Sequence, residues 1–309
     1  MTELSFCIVN TNKREFLMRC LDAVAAERAA LPFATEVLVL DNASDDGSAA
    51  AAQSHPACDR VIALTRRQGK SESDTLLLQS ARGRFALLLN DDSELQPGAT
   101  LALYRALEAR PDAAAAGAAL LYADGRPQTS AWRFPSVWTA AAAAVNLHRR
   151  FVVQSTGTTV RDVDWAQSAA LLVRVDAARE IGWFDTQFFV YSDEVDFCKR
   201  LHDAGYAVLF VPDARCIHHD QLETTRVPER RIVEFSRNRE RYMRKHHGRA
   251  AVAIVRLLTA WTYAVRAVAA IALRDHDPRW YWRHVTAMLF PCRGEGLREA
   301  AADYNRGIS

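Results

Sequence analysis

The stretch RFALLLNDD, residues 84–92, sets five apolar residues in a row and then stops on an amide and two carboxylates, Asn90, Asp91 and Asp92. A short unbroken apolar run reads as a strand buried on both faces, as in a parallel sheet, whereas a half-solvated strand would alternate. The same grammar recurs upstream: Leu4–Val9 ends on Asn10-Thr11-Asn12, and Glu36–Leu40 ends on Asp41-Asn42. Arg60–Leu64 and Ser168–Val173 read as further strands, and Val208–Val211 as the last, stopped by Pro212. Helical spacing or composition predicts helices over 15–31, 49–53, 75–81, 97–110, 140–150, 176–181 and 193–205. Residues 122–135 read as turns and 153–163 as a loop or hairpin. Strands alternating with helices predict an α/β class, a doubly wound, mostly parallel sheet with helices on both faces. In such sheets ligands bind outside the carboxyl ends of the strands. The polar clusters lie at those ends.

Working outward, the 309 residues are 50% hydrophobic and 25% charged, which excludes a disordered, collagen-like or disulfide-scaffold chain. Six cysteines without CxxC spacing fit a reducing compartment, and the first residues lack the pattern of a signal peptide, so a cytoplasmic location is expected. The net charge of +2 hides a split: residues 226–309 hold 17 Lys+Arg against 8 Asp+Glu, a balance of +9, which leaves −7 on residues 1–225. Two domains are expected on that boundary, 1–225 catalytic and 226–309 a basic, amphipathic helical extension. No nucleic-acid motif accompanies the basic end, so no nucleic-acid partner is expected. An Arg-rich helix over 230–245 leads into a mostly apolar stretch, 251–273, interrupted by Arg256 and Arg266. Each central Arg costs about 2.5–3.5 kcal/mol on insertion scales, which argues against a spanning helix. Trp261, Tyr263, Trp280, Tyr281 and Trp282 with interleaved Arg suit docking at a membrane interface. The other reading is a helical extension or homodimer interface.

The polar clusters carry the chemistry. Asn90-Asp91-Asp92 brings carboxylates together as a hard cation such as Mg²⁺ or Mn²⁺ requires, to bridge them to a substrate's phosphates; alone, the triplet also reads as a solvated turn. Asp41-Asn42 opens a turn with Ser44, Asp45, Asp46 and Gly47, suited either to a base or ribose contact or simply to helix capping. Asp193-Glu194 open a helix, where a carboxylate serves as a general base or only offsets the helix dipole. His218-His219 offer an imidazole that would favour Mn²⁺ over Ca²⁺, or are structural. GxGxxG and GxxxxGK[ST] are both absent, which argues against a dinucleotide fingerprint and a P-loop.

Together these features resemble the inverting family 2 glycosyltransferases of the GT-A fold, in the rhamnosyltransferase-like branch acting on bacterial cell-wall or surface polysaccharide. The motifs are CIVNTNKREFLMRCL (7–21), EVLVLDNASDDGS (36–48), ARGRFALLLNDDSEL (81–95), SAALLVRVDAAREIGWFDTQFFVYSDEVDFCKRLHDAGY (168–206) and VPDARCIHH (211–219), with RYMRKHHG (241–248) beyond them. The resemblance implies that Thr11, Asn12 and Arg14 lie along the nucleotide, with Asp41 and Asn42 at its base or ribose. It implies that Asp92 ends a DxD-like motif holding Mn²⁺ or Mg²⁺ on the diphosphate, beside Asp91, and that His218 is a metal ligand. Glu194, next to Asp193, stands in the position of the base. Trp165 and Gln167 fall on the acceptor side. The family's Asn-Gly-aromatic segment appears as Gln68-Gly69-Lys70, where Lys70 either reaches the diphosphate or sits on the surface. The implied partners are a dTDP- or UDP-sugar, carrying rhamnose or a hexose, and a glycan or lipid-linked glycan at the inner face of the plasma membrane. Two rivals stand beside this reading. A nucleotidyltransferase would show a Gly-rich phosphate loop after the first strand, and an inactive sugar-nucleotide-binding subunit of a membrane complex would fit the altered 68–77 segment.

Overall fold

A computed structural model describes residues 2–219, 229–272, 277–291 and 293–307. The expected 225/226 boundary and Cys292 lie outside these residues. In chain order the first elements are β1 (Leu4–Asn10), α1 (Arg14–Ala30), β2 (Thr35–Asp41), α2 (Ser48–Gln53), β3 (Arg60–Ala63), α3 (Lys70–Ser80), β4 (Phe85–Asn90), β5 (Ser93–Leu95) and α4 (Ala99–Glu108). There follow β6 (Ala113–Leu121), β7 (Ala131–Trp132), α5 (Val137–Ala144), α6 (His148–Phe151), β8 (Arg161–Val163), β9 (Trp165–Ala166), β10 (Ala170–Arg174), α7 (Val175–Glu180), α8 (Asp193–Asp203) and β11 (Ala207–His218). The last three are α9 (Glu229–Ala272), α10 (Pro278–Leu289) and α11 (Leu297–Gly307).

Contacts gather these into two compact units. The first comprises Met1–Trp132, Gln154–Thr186 and Glu194–Asp220 and holds the main sheet, in the order β3-β2-β1-β4-β10-β6-β11-β5 with β8 alongside β11. Strands β3, β2, β1 and β4 run parallel, as do β6 and β11, while β10 lies antiparallel between β4 and β6. The core strands are buried on both faces: Phe6, Ile8, Val37, Val39, Leu87 and Leu172 are fully enclosed. Parallel registry brings Asn10 beside Asp41, and Val9 beside Asn90. The polar clusters of three strands therefore meet at one edge.

The structure departs from the sequence reading at four places. Strand β6 gave no apolar-run signal because it is AAAAGAALL, nearly all alanine. Ala is a weak strand former, but the strand lies within the sheet, where small residues allow close packing. Gly117 is required there: a Cβ would lie 2.3 Å from the Ala166 Cβ. Strand β11 does not stop at Pro212 but runs to His218, because the pairing with β6 shifts between Val211 and Arg215 and the proline falls in that irregularity. The 140–150 helix is two short ones, parted at Asn146, whose φ is +61°. Helix α3 starts at Lys70, five residues earlier than periodicity indicates.

The second unit comprises Arg133–Val153, Gln187–Asp193 and Gln221–Ser309. Helices α5, α10 and α11 pack on α9. Helix α9 is broken at Gly248, where φ 81° and ψ 177° belong to a region only glycine enters readily. Arg256 then forms an ion pair with Glu240 at 2.5 Å. Sixteen residues of straight helix would put the two about 24 Å apart, so the chain folds back at the break.

Candidate active site

The first unit builds the site from the carboxyl ends of β1, β2 and β4 and the last residues of β11. Asp41, 2% exposed, accepts from the Asn10 amide at 2.8 Å and from the Ser44 N–H at 3.0 Å, which fixes its carboxylate. Asn42 pairs both ways with the Gln68 backbone, at 3.0 and 2.8 Å, and donates to the Thr11 hydroxyl at 3.3 Å. The Thr11 N–H donates to Asp91 at 3.3 Å. Asn12 takes φ +52°, its N–H donating to Ser44 and its side-chain carbonyl accepting from Asp45. The Arg14 N–H, in the first turn of α1, donates to Asp46 at 2.9 Å. Thr11, Asn12, Arg14, Asp41 and Asn42 thus form one hydrogen-bonded rim over β1 and β2.

Beside it lie the acids. Asp92 is 1% exposed; one oxygen accepts from the Lys13 ammonium at 2.8 Å, and the other, Oδ1, is buried without a hydrogen-bond partner, 3.5 Å from His218 Nε2. The Gln128 side chain lies 3.0 Å from His218 Nδ1 and donates to the His218 carbonyl, and Asn90 reaches Nε2 at 3.2 Å. Burial, reinforced by the neighbouring Asp92, pushes the Asp91 carboxyl up to about 7, although Lys13 at 3.5 Å and the Thr11 N–H oppose it. A divalent cation at this spot would relieve both acids.

Among the described residues no group of three or more His, Cys, Asp or Glu is gathered for a metal. The donor set does fit a cation carried in with a substrate. Asp92 Oδ1 and His218 Nε2 are two adjacent donors, and Mg²⁺-type ions take one or two protein carboxylates and complete their shell with phosphate oxygens and water.

Other expected residues fall elsewhere. Lys70 is tied to the buried Asp74 at 2.5 Å, one helical turn away. Trp165 stacks on Trp132 at 4.4 Å across the small β7–β9 sheet, and the Gln167 N–H donates to the Ser130 carbonyl next to it. Glu194 is half-buried in the first turn of α8, and no described contact links it to Asp91, Asp92 or His218.

In the second unit, Asp193 is 1% exposed and follows two residues in the left-handed region, Tyr191 at φ 67° and Ser192 at φ 60°. Such backbone persists only where its surroundings hold it. Here α9 holds it: Arg231 donates to the Tyr191 hydroxyl at 2.7 Å, Asn238 donates to the Val190 carbonyl at 2.7 Å, and Phe235 packs on the Tyr191 ring. Lys13, Gln128, Arg231 and Asn238 escaped the sequence reading. Only Lys13 carried a signal, as the cation inside the quoted 7–21 motif.

Two family models match the chain, "Glycosyl transferase family 2" over residues 5–163 and "Glycosyl transferase family group 2" over residues 85–294. An N-acetylglucosaminyl-diphospho-decaprenol L-rhamnosyltransferase of Mycobacterium tuberculosis is 28% identical over 249 residues, which are 71% of this chain and 79% of the relative. The rhamnosyltransferase WbbL of Escherichia coli is 35% identical over 57 residues, 18% of this chain and 22% of the relative. Among solved structures, the mannosyltransferase PcManGT from Pyrobaculum calidifontis, in complex with GDP-Man and Mn²⁺, superposes with a TM-score of 0.61 at 17% identity, covering 98% of this chain and 86% of that one. That likeness shows the GT-A fold, a mixed, mostly parallel sheet with helices, here followed by the helices α9, α10 and α11. The chain belongs to glycosyltransferase family 2, as an enzyme of its rhamnosyltransferase-like branch.

Proposed function

We propose that this glycosyltransferase moves rhamnose or a hexose from a dTDP- or UDP-linked donor to a glycan or lipid-linked glycan, with inversion, and needs Mn²⁺ or Mg²⁺. The observation that carries the reading is the meeting of Asp41, Asp91, Asp92 and His218 at one sheet edge, with a buried oxygen of Asp92 left without a hydrogen bond. The lipid-linked acceptor is supported by the name of the M. tuberculosis relative, which works on a diphospho-decaprenol. The metal is supported by the Mn²⁺ in the PcManGT complex and by the donor pair in this chain.

On this reading Thr11, Asn12 and Arg14 lie along the nucleotide, and Asp41, held by Asn10 and Ser44, receives its base or ribose with Asn42 behind it. Asp92 and His218 would hold the divalent ion, which neutralises the departing diphosphate. Lys13 adds a point charge beside it. Glu194 takes the proton from the acceptor hydroxyl, and Asp193 fixes the start of its helix. Trp165 and Gln167 border the acceptor. Residues 1–225 form the catalytic domain and 226–309 the attachment region.

The second unit is read as docking at the cytoplasmic face of the plasma membrane. By length and composition α9 could cross a bilayer. An in-plane position is favoured because Arg256 is paired to Glu240 and because the apolar residues are exposed along one stripe: Ile254, Leu257, Trp261, Val265, Val268 and Ile271 recur every three or four positions.

The test is turnover of a sugar-nucleotide panel by purified protein with and without Mn²⁺ or Mg²⁺. Metal-dependent release of nucleoside diphosphate from a dTDP- or UDP-sugar is expected, together with a loss of about 10²-fold or more in Asp92→Asn and in Glu194→Gln. Wild-type turnover by both variants overturns the assignment. Flotation of the full chain on anionic vesicles tests the docking.

A further inference from the structure

Within the second unit, residues 187–191 are gripped one after another by α9 and α11. The Gln187 carbonyl accepts from the Arg298 guanidinium at 2.7 Å, and the same guanidinium covers the Phe189 ring at 5.4 Å. Lys245 lies over the buried Phe188 ring at 5.6 Å. The Val190 carbonyl accepts from Asn238, and the Tyr191 hydroxyl from Arg231, both at 2.7 Å. These residues belong to neither helix nor strand, so no backbone ladder fixes their path and the side chains of α9 and α11 do so instead.

Two of these contacts meet at one carboxylate. Glu234, on α9, is 2% exposed. One of its oxygens accepts from the Asn238 amide at 2.8 Å, and the other accepts from the Arg298 backbone N–H at 3.2 Å. The Asn238 NH2 thus gives one proton to Glu234 and the other to Val190, while its carbonyl accepts from Arg241, so the amide has a single orientation. Arg298 lies in the first turn of α11, where free N–H groups and the helix dipole favour a carboxylate. Gly296 permits the approach: a Cβ there would lie 2.5 Å from the Glu234 carboxylate. The bonds close a ring, from Glu234 through Asn238 to Val190, back along the chain to Gln187, and through Arg298 to Glu234 again.

We propose that Glu234 and Arg298 are positioning residues for the transfer step, a role that rests on Glu194 acting as the base put forward above. Together they clamp residues 187–190 and so set where Glu194 presents its carboxylate to the acceptor hydroxyl. The clamped segment runs directly into Asp193-Glu194, the start of α8, so a shift in the one is carried by the chain into the other. Proton transfer is sensitive to such shifts: a general base must lie within about 2.6–3.2 Å of the proton's donor atom, and a displacement of about 1 Å costs up to about 10²-fold. The proposed donor contacts, Thr11, Asn12, Arg14, Asp41, Asp92 and His218, lie elsewhere in the chain, so the effect falls on kcat and not on donor KM.

The full chain and its R298M, R298K, E234Q, E194Q and E194Q/R298M variants are compared by nucleoside diphosphate release from the dTDP- or UDP-sugar that the panel selects. Arg298 is exposed, so R298M keeps the fold even if E234Q does not. R298M removes the contacts to Gln187 and Phe189 and should lower kcat about fivefold, with donor KM within about twofold of the wild type. R298K keeps a cation for the Gln187 carbonyl and the Phe189 ring and should restore about half of the wild-type rate or more. E234Q sets an NH2 against either the Asn238 amide or the Arg298 N–H, so the ring opens whichever way the new side chain turns, and kcat should fall about tenfold. In the E194Q background R298M should cost less than about twofold, because the carboxylate through which the clamp acts is gone. Wild-type kcat in R298M or in folded E234Q overturns the proposal, as does a loss that appears in donor KM instead of kcat. If E194Q is impaired but R298M costs the same with or without it, the clamp falls and the base reading stands. If E194Q turns over like the wild type, the base reading falls and takes the clamp's role with it.

Discussion

Lys13 is a single positive charge set against two carboxylates, 2.8 Å from Asp92 and 3.5 Å from Asp91. It stabilises the pair when no other cation is present, and it competes with any cation that arrives. Lys13→Met is therefore expected to tighten Mn²⁺ binding severalfold in calorimetry while lowering the melting temperature of the metal-free protein. Asp91 gives the corresponding pH signature. Its carboxyl holds a proton in the folded chain up to about 7, well above an unfolded aspartate. Between about pH 4 and 7 the folded state thus binds more protons than the unfolded one, so this group's contribution to stability is full in acid and is lost as pH rises. Asp91→Asn should stabilise the metal-free protein at pH 8 by roughly 2 kcal/mol and leave it near wild type at pH 4.5, read from urea midpoints. The acids themselves were legible as residues because each ends an apolar strand. The partners that orient them were not: Gln128 lies among turn residues, and nothing in a chain of letters says that it meets His218 some ninety positions later.

At the scale of elements, the strands with unbroken Val, Leu and Ile runs could be read directly, whereas the alanine-rich β6 could not, since its burial comes from its neighbours more than from its own hydrophobicity. That dependence is testable. Gly117→Val should cost about 2–4 kcal/mol in urea denaturation, because even its Cβ lies 2.3 Å from that of Ala166. Helix α9 was visible as a basic run, but its grip on residues 187–193 was not, because the hydrogen bonds end on backbone and on a tyrosine hydroxyl. Asn238→Ala frees the Val190 carbonyl and should lower kcat about tenfold with little change in donor KM, as the left-handed turn before α8 relaxes. Between α9 and α10, burial first and then Arg266 push His284 down to about 4, and its Nδ1 has no hydrogen-bond partner. The unfolded chain binds that proton at higher pH, so the stability His284 contributes is lost as pH falls from about 6.5 to 4. His284→Phe should preserve the ring packing on Tyr263 and remove that part of the acid sensitivity.

For the molecule as a whole, the +2 net charge is an average over two chemistries. On the proposed reading the acid-rich part takes a cation and a nucleotide; the second unit, which holds most of the basic end, carries thirteen of the fourteen large apolar side chains exposed among the described residues. Composition showed the charge split but not the apolar face, since at a given helical spacing an exposed stripe and a buried one read alike. Trp261→Ser together with Leu257→Ser should weaken binding to anionic vesicles in flotation by about thirtyfold or more without altering sugar-nucleotide hydrolysis, as expected for roughly 1–3 kcal/mol of interfacial burial lost per side chain.

Gly248 makes that arrangement depend on a single codon. Its φ of 81° with ψ of 177° has no counterpart open to the nineteen other residues at comparable strain, and no neighbouring atom would obstruct a side chain there. Space is free but conformation is not. A library saturated at position 248 and sorted for folded, vesicle-bound protein should therefore return glycine almost alone, while the alanines just after it accept most substitutions. Sequence drift through the attachment region is channelled by one backbone angle.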